Sequence, residues 1–157
     1  MPAETKRREM AINYFSDGVR IPPFRRRELT AWIRRVAAAY GKGCGDISYI
    51  FCNDEKILEV NREYLRHDYY TDIITFDYTD GSTLSGDIFI SLDTVESNAS
   101  SLSQPYRSEL LRVVIHGILH LCGINDKGAG ERAVMERAEN DALALVNTEQ
   151  LYKNSKK

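Results

Sequence analysis

Within the run VVIHGILHLCGINDKG (residues 113–128), His116 and His120 stand four residues apart. On a helix that spacing projects two imidazoles from the same face, one turn apart, where both can meet one metal ion. Gly123 then suits a left-handed helix stop. The turn it creates carries Asp126 back toward the two rings. The pattern H-x-x-x-H-x-x-G-x-x-D has the spacing of a zinc-protease site whose third ligand follows a glycine turn. Two neutral imidazoles and one carboxylate leave a coordination position open, as catalytic zinc requires and structural zinc does not.

Two other readings use the same residues. A pair of core histidines bonded to backbone would satisfy four ring nitrogens without a metal. A two-histidine, one-carboxylate iron oxygenase would use the same donors, although its ligands would all come from eleven residues of one helix and turn. A zinc protease also carries a glutamate after its first histidine as general base. Here that place is Gly117. Glycine moves no proton and admits the close approach of a backbone or a substrate, so the usual peptidase route is excluded.

The histidines need a buried helix to hold them. Leu110, Leu111, Val113, Val114, Ile115, Ile118, Leu119 and Leu121 make the segment apolar nearly all round, which predicts burial. It opens after Pro105 and ends at Cys122-Gly123. Upstream, an extended segment over residues 10–23 turns at Asp17-Gly18. A helix over residues 24–40 follows, from Leu29, Trp32, Ile33, Val36 and Tyr40 at helical spacing, with Gly41 as its stop. Residues 46–52 alternate as a strand. Asn53 caps a helix running to about Leu65. Residues 72–78 and 86–91 read as a strand pair around the turn-rich 79–85, and residues 92–102 as a short helix. A last amphipathic helix is expected over about residues 130–152. The class is α+β: a small mixed β-sheet packed with helices, one of them a zincin-like metal-binding helix.

The length, 157 residues, suits one domain over 1–157. Its ends, about eight residues at the start and residues 153–157, read as loose. No apolar run approaches the roughly 20 residues that span a bilayer, and the first residues lead into no signal-type stretch. The expected location is cytoplasmic, with no membrane partner. Cys44, Cys52 and Cys122 cannot all pair within one chain and read as reduced thiols. Net charge is −2, unevenly spread: residues 1–45 carry ten Lys/Arg against four Asp/Glu, and residues 46–157 carry eleven against nineteen.

The segment HGILHLCGIND resembles the H-G-x-L-H-L-x-G-x-x-H signature of the YbeY family of bacterial rRNA-maturation endoribonucleases. VNREYLRHDYYTDIITFDY is similar to that family's L-N-x-x-Y-R…T-D-V-L-S-F segment, and SGDIFIS to its L-G-D-I-x-I-S strand. The three segments lie in the family's order. The resemblance implies one α+β domain with one Zn2+ on its helix. It also implies metal-dependent hydrolysis of single-stranded RNA, maturation of the 16S rRNA 3′ end, and ribosome quality control. The partners it implies are rRNA and the small ribosomal subunit, with a ribosomal-protein contact. Two positions depart from the pattern. Asp126 stands where the family has histidine. Leu65 stands where the family has arginine, and Arg66 follows it. Arg66 is then the preferred cation for charge developing on phosphate.

The rival class is a ribosome-assembly factor whose metal is mainly structural. Lesser features carry two readings each. Arg25, Arg26, Arg27, Arg34 and Arg35 crowd the first helix, as an RNA-phosphate contact or a solvated face. Asp72 and Asp87 begin strands, as orienters of a ligand histidine or strand-end residues. His67 reads as a surface loop residue and Cys122 as a packed thiol. Tyr69 and Tyr70 read as base-stacking rings or chance members of a set of nine tyrosines.

Overall fold

The computed structural model describes residues 10–65 and 71–153. Four strands, β1 (Ile12–Ser16), β2 (Gly43–Cys52), β3 (Ile73–Asp77) and β4 (Thr83–Ser91), form one mixed sheet in the order β1-β2-β4-β3. Five α-helices among the described residues accompany it: α1 (Arg26–Ala39), α2 (Asp54–Val60), α3 (Leu92–Ser101), α4 (Tyr106–Leu121) and α5 (Glu131–Leu143). The connections set the strand directions. β1 and β2 are parallel because α1 carries the chain back between them, and β4 is likewise parallel to β2. A short turn at Gly81, with φ +62°, joins β3 to β4, so that pair is antiparallel.

Alternation along the strands divides the apolar residues between two faces. Ile47, Tyr49 and Phe51 of β2, with Leu84, Ile88 and Ile90 of β4, belong to the large core that contains α1 and α4. Cys52 and Ile74, with Phe76 and Phe89 beside them, meet Ile57 and Val60 of α2 in a smaller cluster. The apolar side of the helix that carries both histidines is sealed: Leu110, Leu111, Val114, Ile115, Ile118 and Leu119 are inaccessible to solvent. Tyr49 pins it to the sheet by donating from its hydroxyl to the Val114 carbonyl at 2.8 Å.

Two expected helices end earlier than their patterns suggest. α2 stops at Val60, and residues Asn61–Leu65 form a wider π turn. Within Asn61–Leu65 the two apolar side chains, Tyr64 and Leu65, are both exposed, so burial does not enforce the α period. The last helix does not run to residue 152 but ends at Leu143. Trp32 donates to the Ala142 carbonyl at 2.9 Å. Asn147 then caps a separate 3-10 turn over Thr148–Leu151. Tyr152 bridges to Phe24, and its hydroxyl donates to the Arg107 carbonyl at 2.8 Å. Tyr152 is therefore folded back against the residues before α1 and the start of α4. No helix among the described residues is long and apolar enough to cross a membrane.

Candidate metal centre

α4 ends where its sequence requires. Gly123 takes φ +101°, and its N–H donates to the His120 carbonyl at 2.9 Å while Ile124 N–H donates to Leu119 at 3.1 Å. These two bonds form a Schellman stop, which reverses the chain just after the second histidine. The loop beyond it is closed by Glu131, whose carboxylate accepts from the Gly128 N–H at 2.7 Å. Gly130, at φ +79°, then starts α5.

The reversal brings Asp126 back to the helix. Its Oδ2 lies 3.3 Å from Nε2 of His116. Neither group is sealed: the side chains are 20% and 27% exposed. His120, one turn further along α4, is likewise half-buried. Two of the three sequence-predicted ligands, His116 and Asp126, are thus in contact, and the third, His120, follows His116 by one turn of α4. Among the described residues no three His, Cys, Asp or Glu side chains are drawn together closely enough to cage a metal. The donors nevertheless suit a zinc-type cation. Two imidazoles and a carboxylate are the standard catalytic set, and a site open to solvent leaves room for a further ligand.

The other ring nitrogen of His116 is also engaged. Nδ1 lies 2.7 Å from Oε2 of Glu139 on α5, and Oε1 of Glu139 accepts from Arg112 Nη1 at 2.9 Å. Sequence reading missed Glu139, naming Asp72 and Asp87 instead. A signal was present: Glu139 falls on the buried stripe of α5 with Met135, Ala138 and Ala142. A carboxylate is seldom placed there without a partner.

Asp87 does not serve the histidines. It lies on the sheet face of Phe89, opposite the Ile88 side chain that meets α4, and takes a hydrogen bond from Tyr78. Asp72 is near enough to act through its charge. Burial raises its pKa, and the His116 charge opposes that rise. Burial on its own would lower the His116 pKa. The Glu139 hydrogen bond and charge, with Asp126 and Asp72, outweigh it, so the pKa lies above the ordinary 6.5.

Gly117 has a definite packing reason. A Cβ there would stand 3.0 Å from Ile88 Cδ1, 3.2 Å from Ile88 Cγ2 and 3.3 Å from Ile73 Cδ1. The close approach inferred from sequence is therefore made by the sheet's side chains, not by a substrate. Arg66, His67, Tyr69 and Tyr70 lie outside the described residues. Cys122 is a free, half-buried thiol against the core, its pKa pushed up to about 11 by burial.

A family model described as endoribonuclease YbeY matches residues 19–147. A Phocaeicola vulgatus protein named endoribonuclease YbeY is 66% identical over 136 residues, covering 87% of this chain and 99% of its own length. A protein of the same name from Azobacteroides pseudotrichonymphae is 46% identical over 139 residues, covering 88% of this chain and 100% of its own. In fold, the chain is similar to a Thermotoga maritima protein solved in solution. The TM-score is 0.58 at 23% identity, over 86% of this chain and 91% of that one.

Proposed function

This chain belongs to the YbeY endoribonuclease family, and on that premise we propose that it is a zinc-dependent, single-strand-specific endoribonuclease of rRNA maturation. His116, His120 and Asp126 would hold one Zn2+. The observation that carries the reading is the convergence of His116 Nε2 and Asp126 Oδ2 at 3.3 Å on a solvent-open face. The family match over residues 19–147 supplies the substrate class.

When bound, zinc supplies Lewis acidity toward a phosphoryl oxygen and acidifies water. The chain's own residues do the rest. α4, packed on β3 and β4, fixes the direction of both histidines. The Gly123 stop returns Asp126 to His116, and Glu139 meets the other ring nitrogen of His116. A phosphodiester also needs a cation to offset charge gathering on its non-bridging oxygens. Arg66 is assigned that role, because Leu65 is apolar where the resembling family has arginine. The partial exposure of His116 and Asp126 favours an enzyme over an assembly factor with a closed structural metal.

The biological substrate proposed is the 3′ end of 16S rRNA in the cytoplasm. Ribosome quality control, with the small subunit and a ribosomal-protein contact as partners, is the corresponding setting. Comparing rRNA termini in cells lacking this protein with cells carrying a His116→Ala copy tests it. Unprocessed 16S ends in both are expected. Normal ends in the His116→Ala cells would assign the protein to scaffolding.

A further inference from the structure

Glu139 is a buried carboxylate, 8% exposed, and both of its oxygens are committed. Oε1 takes a hydrogen bond from Arg112 Nη1 at 2.9 Å, and Oε2 faces His116 Nδ1 at 2.7 Å. Arg112 Nη2 donates in turn to Asn140 Oδ1 at 2.8 Å, so the guanidinium is held at two points on α5. Arg112 precedes His116 by four residues on α4 and shares its face. Trp32, bonded to the Ala142 carbonyl, anchors α5 close to Glu139.

From these contacts we propose that Arg112 and Glu139 are a positioning pair that locks neutral His116 in the tautomer protonated at Nδ1, leaving the Nε2 lone pair turned toward Asp126. The use of that lone pair rests on the metal reading above. The lock itself stands on contacts within the protein.

Both ring nitrogens face a carboxylate, and a carboxylate offers only acceptors, so the one proton of a neutral ring goes to the nitrogen with hydrogen-bond geometry: Nδ1, at 2.7 Å from Glu139, and not Nε2, which meets Asp126 only as a charge at 3.3 Å. A guanidinium offers only donors and cannot change its protonation. Two donors thus meet one group from opposite sides, and only a group with two acceptor oxygens satisfies both. An amide has one oxygen and one NH2. If glutamine turned its NH2 toward Arg112, two donors would face each other across that contact. Turned the other way, its NH2 would face Nδ1, and the imidazole would respond by moving its proton to Nε2. The imidazole is the partner that can yield, so the amide oxygen goes to Arg112 and the histidine tautomer inverts. Arg112 therefore decides which way a substituted side chain points.

The test uses full-length protein labelled with 15N in its histidines, at alkaline pH where the ring is neutral. Ring-nitrogen shifts are recorded without zinc, and zinc affinity is measured separately by chelator competition. The wild type should show His116 protonated at Nδ1. Glu139→Gln should shift His116 toward the Nε2-protonated form and weaken zinc binding about 10- to 100-fold. Adding Arg112→Leu to Glu139→Gln frees the amide to turn, and should restore the Nδ1-protonated form with most of the affinity. Arg112→Leu alone should keep the wild-type tautomer, because the carboxylate still only accepts; it guards against a Glu139→Gln protein that fails to fold. Retention of the Nδ1 form in Glu139→Gln would overturn the lock. So would a double variant no better than the single, or an inverted ring in Arg112→Leu. Should the wild type take up no zinc, the metal reading fails, while the tautomers of the zinc-free proteins still decide the lock.

Discussion

Asp126 lies six residues beyond His120 in sequence, yet its Oδ2 sits 3.3 Å from Nε2 of His116, a turn further back on α4. That contact exists only because Gly123 reverses the chain with two backbone bonds to the end of the same helix. A turn-stabilising aspartate has no need to reach that nitrogen. Asp126→Ala should therefore weaken zinc binding, by about 10-fold or more if a ligand is removed. Asp126→His supplies the donor the resembling family has at this place and should keep the metal. Elemental analysis and chelator competition measure both. Wild-type affinity in Asp126→Ala would reduce the carboxylate to a turn residue.

Gly117 stands where a zinc protease carries its general base, and the sheet occupies the space such a side chain would need. A glutamate would press its carboxylate onto Ile88, which is inaccessible to solvent. Overpacking and an unpaired buried charge together should cost roughly 3 kcal/mol or more. Alanine gains about 1 kcal/mol of helix propensity and loses about 1–3 kcal/mol to crowding, so a net loss of up to about 2 kcal/mol is expected. Urea denaturation of Gly117→Ala and Gly117→Glu checks the order. A glutamate variant as stable as the wild type would contradict the packing.

These two positions show what a sequence displays of such a site. The histidine spacing, the glycine stop and the acid beyond it are local, so they were readable in a single run of residues. Asn53 as a cap was equally local, and its side chain does accept from Lys56 N–H at 2.9 Å. Glu139 was not readable in the same way. Its partnership with His116 joins two helices 23 residues apart, and its only local sign is polarity on an apolar stripe. The final helix was overextended for a related reason. Trp32, Phe24 and Arg107, all distant in the chain, bind its last turn or the residues after it, and helical periodicity carries no record of them.

Cys52 is fully buried, and its thiol lies 3.5 Å from the Ile90 carbonyl. Burial, aided by the Asp17 charge, pushes its pKa up to about 12 from 9.0. An acid held neutral in the fold ionises sooner in the unfolded chain. Its contribution is therefore fully present below pH 9 and is lost as pH rises through about 12. The urea midpoint should fall across that window. Cys52→Ser keeps a donor of similar size without the ionisation. It should start from a lower midpoint and fall less steeply. Parallel curves would show that the thiol stays clear of the alkaline transition, leaving it to groups such as Tyr14, whose pKa burial also raises to about 12.

Arg66 follows the π turn at Asn61–Leu65, a type of irregularity that recurs at functional sites. Leu65 is 39% exposed, so the place where the resembling family has arginine opens to solvent and demands no apolar residue for packing. Arg66→Ala should cut RNA cleavage by about 10²-fold or more, the scale of removing one stabilising donor, with zinc content unchanged. Arg66→Lys should recover little, since an ammonium cannot fork onto two oxygens. Cleavage at the wild-type rate in Arg66→Ala would transfer the charge to another residue. His67 is the next candidate, and it would reveal itself by activity that falls near a pKa of about 6.5.

The arginines of α1 divide by what they hold. Arg25, the residue before α1, donates from Nε to the Tyr152 carbonyl at 3.1 Å, and Arg35 donates to the Leu145 carbonyl at 3.4 Å, so both tie down residues that follow α5. Arg26, Arg27 and Arg34 are exposed on the same helix, and the charges of Arg26 and Arg34 reach Tyr14 on β1. A helix that served only as a solvated face would mix signs, yet Glu28 is its one acidic residue. RNA phosphates would fit this surface, and each phosphate bound would release a counterion. Replacing Arg26 and Arg27 together with alanine should weaken single-stranded RNA binding about equally for unrelated sequences. It should also flatten the plot of log affinity against log salt by about 0.7 for each phosphate the variant no longer neutralises. Zinc content should not change, because neither residue is among the proposed ligands. An unaltered slope would return the pair to plain solvation and move the search for the RNA track to Arg34.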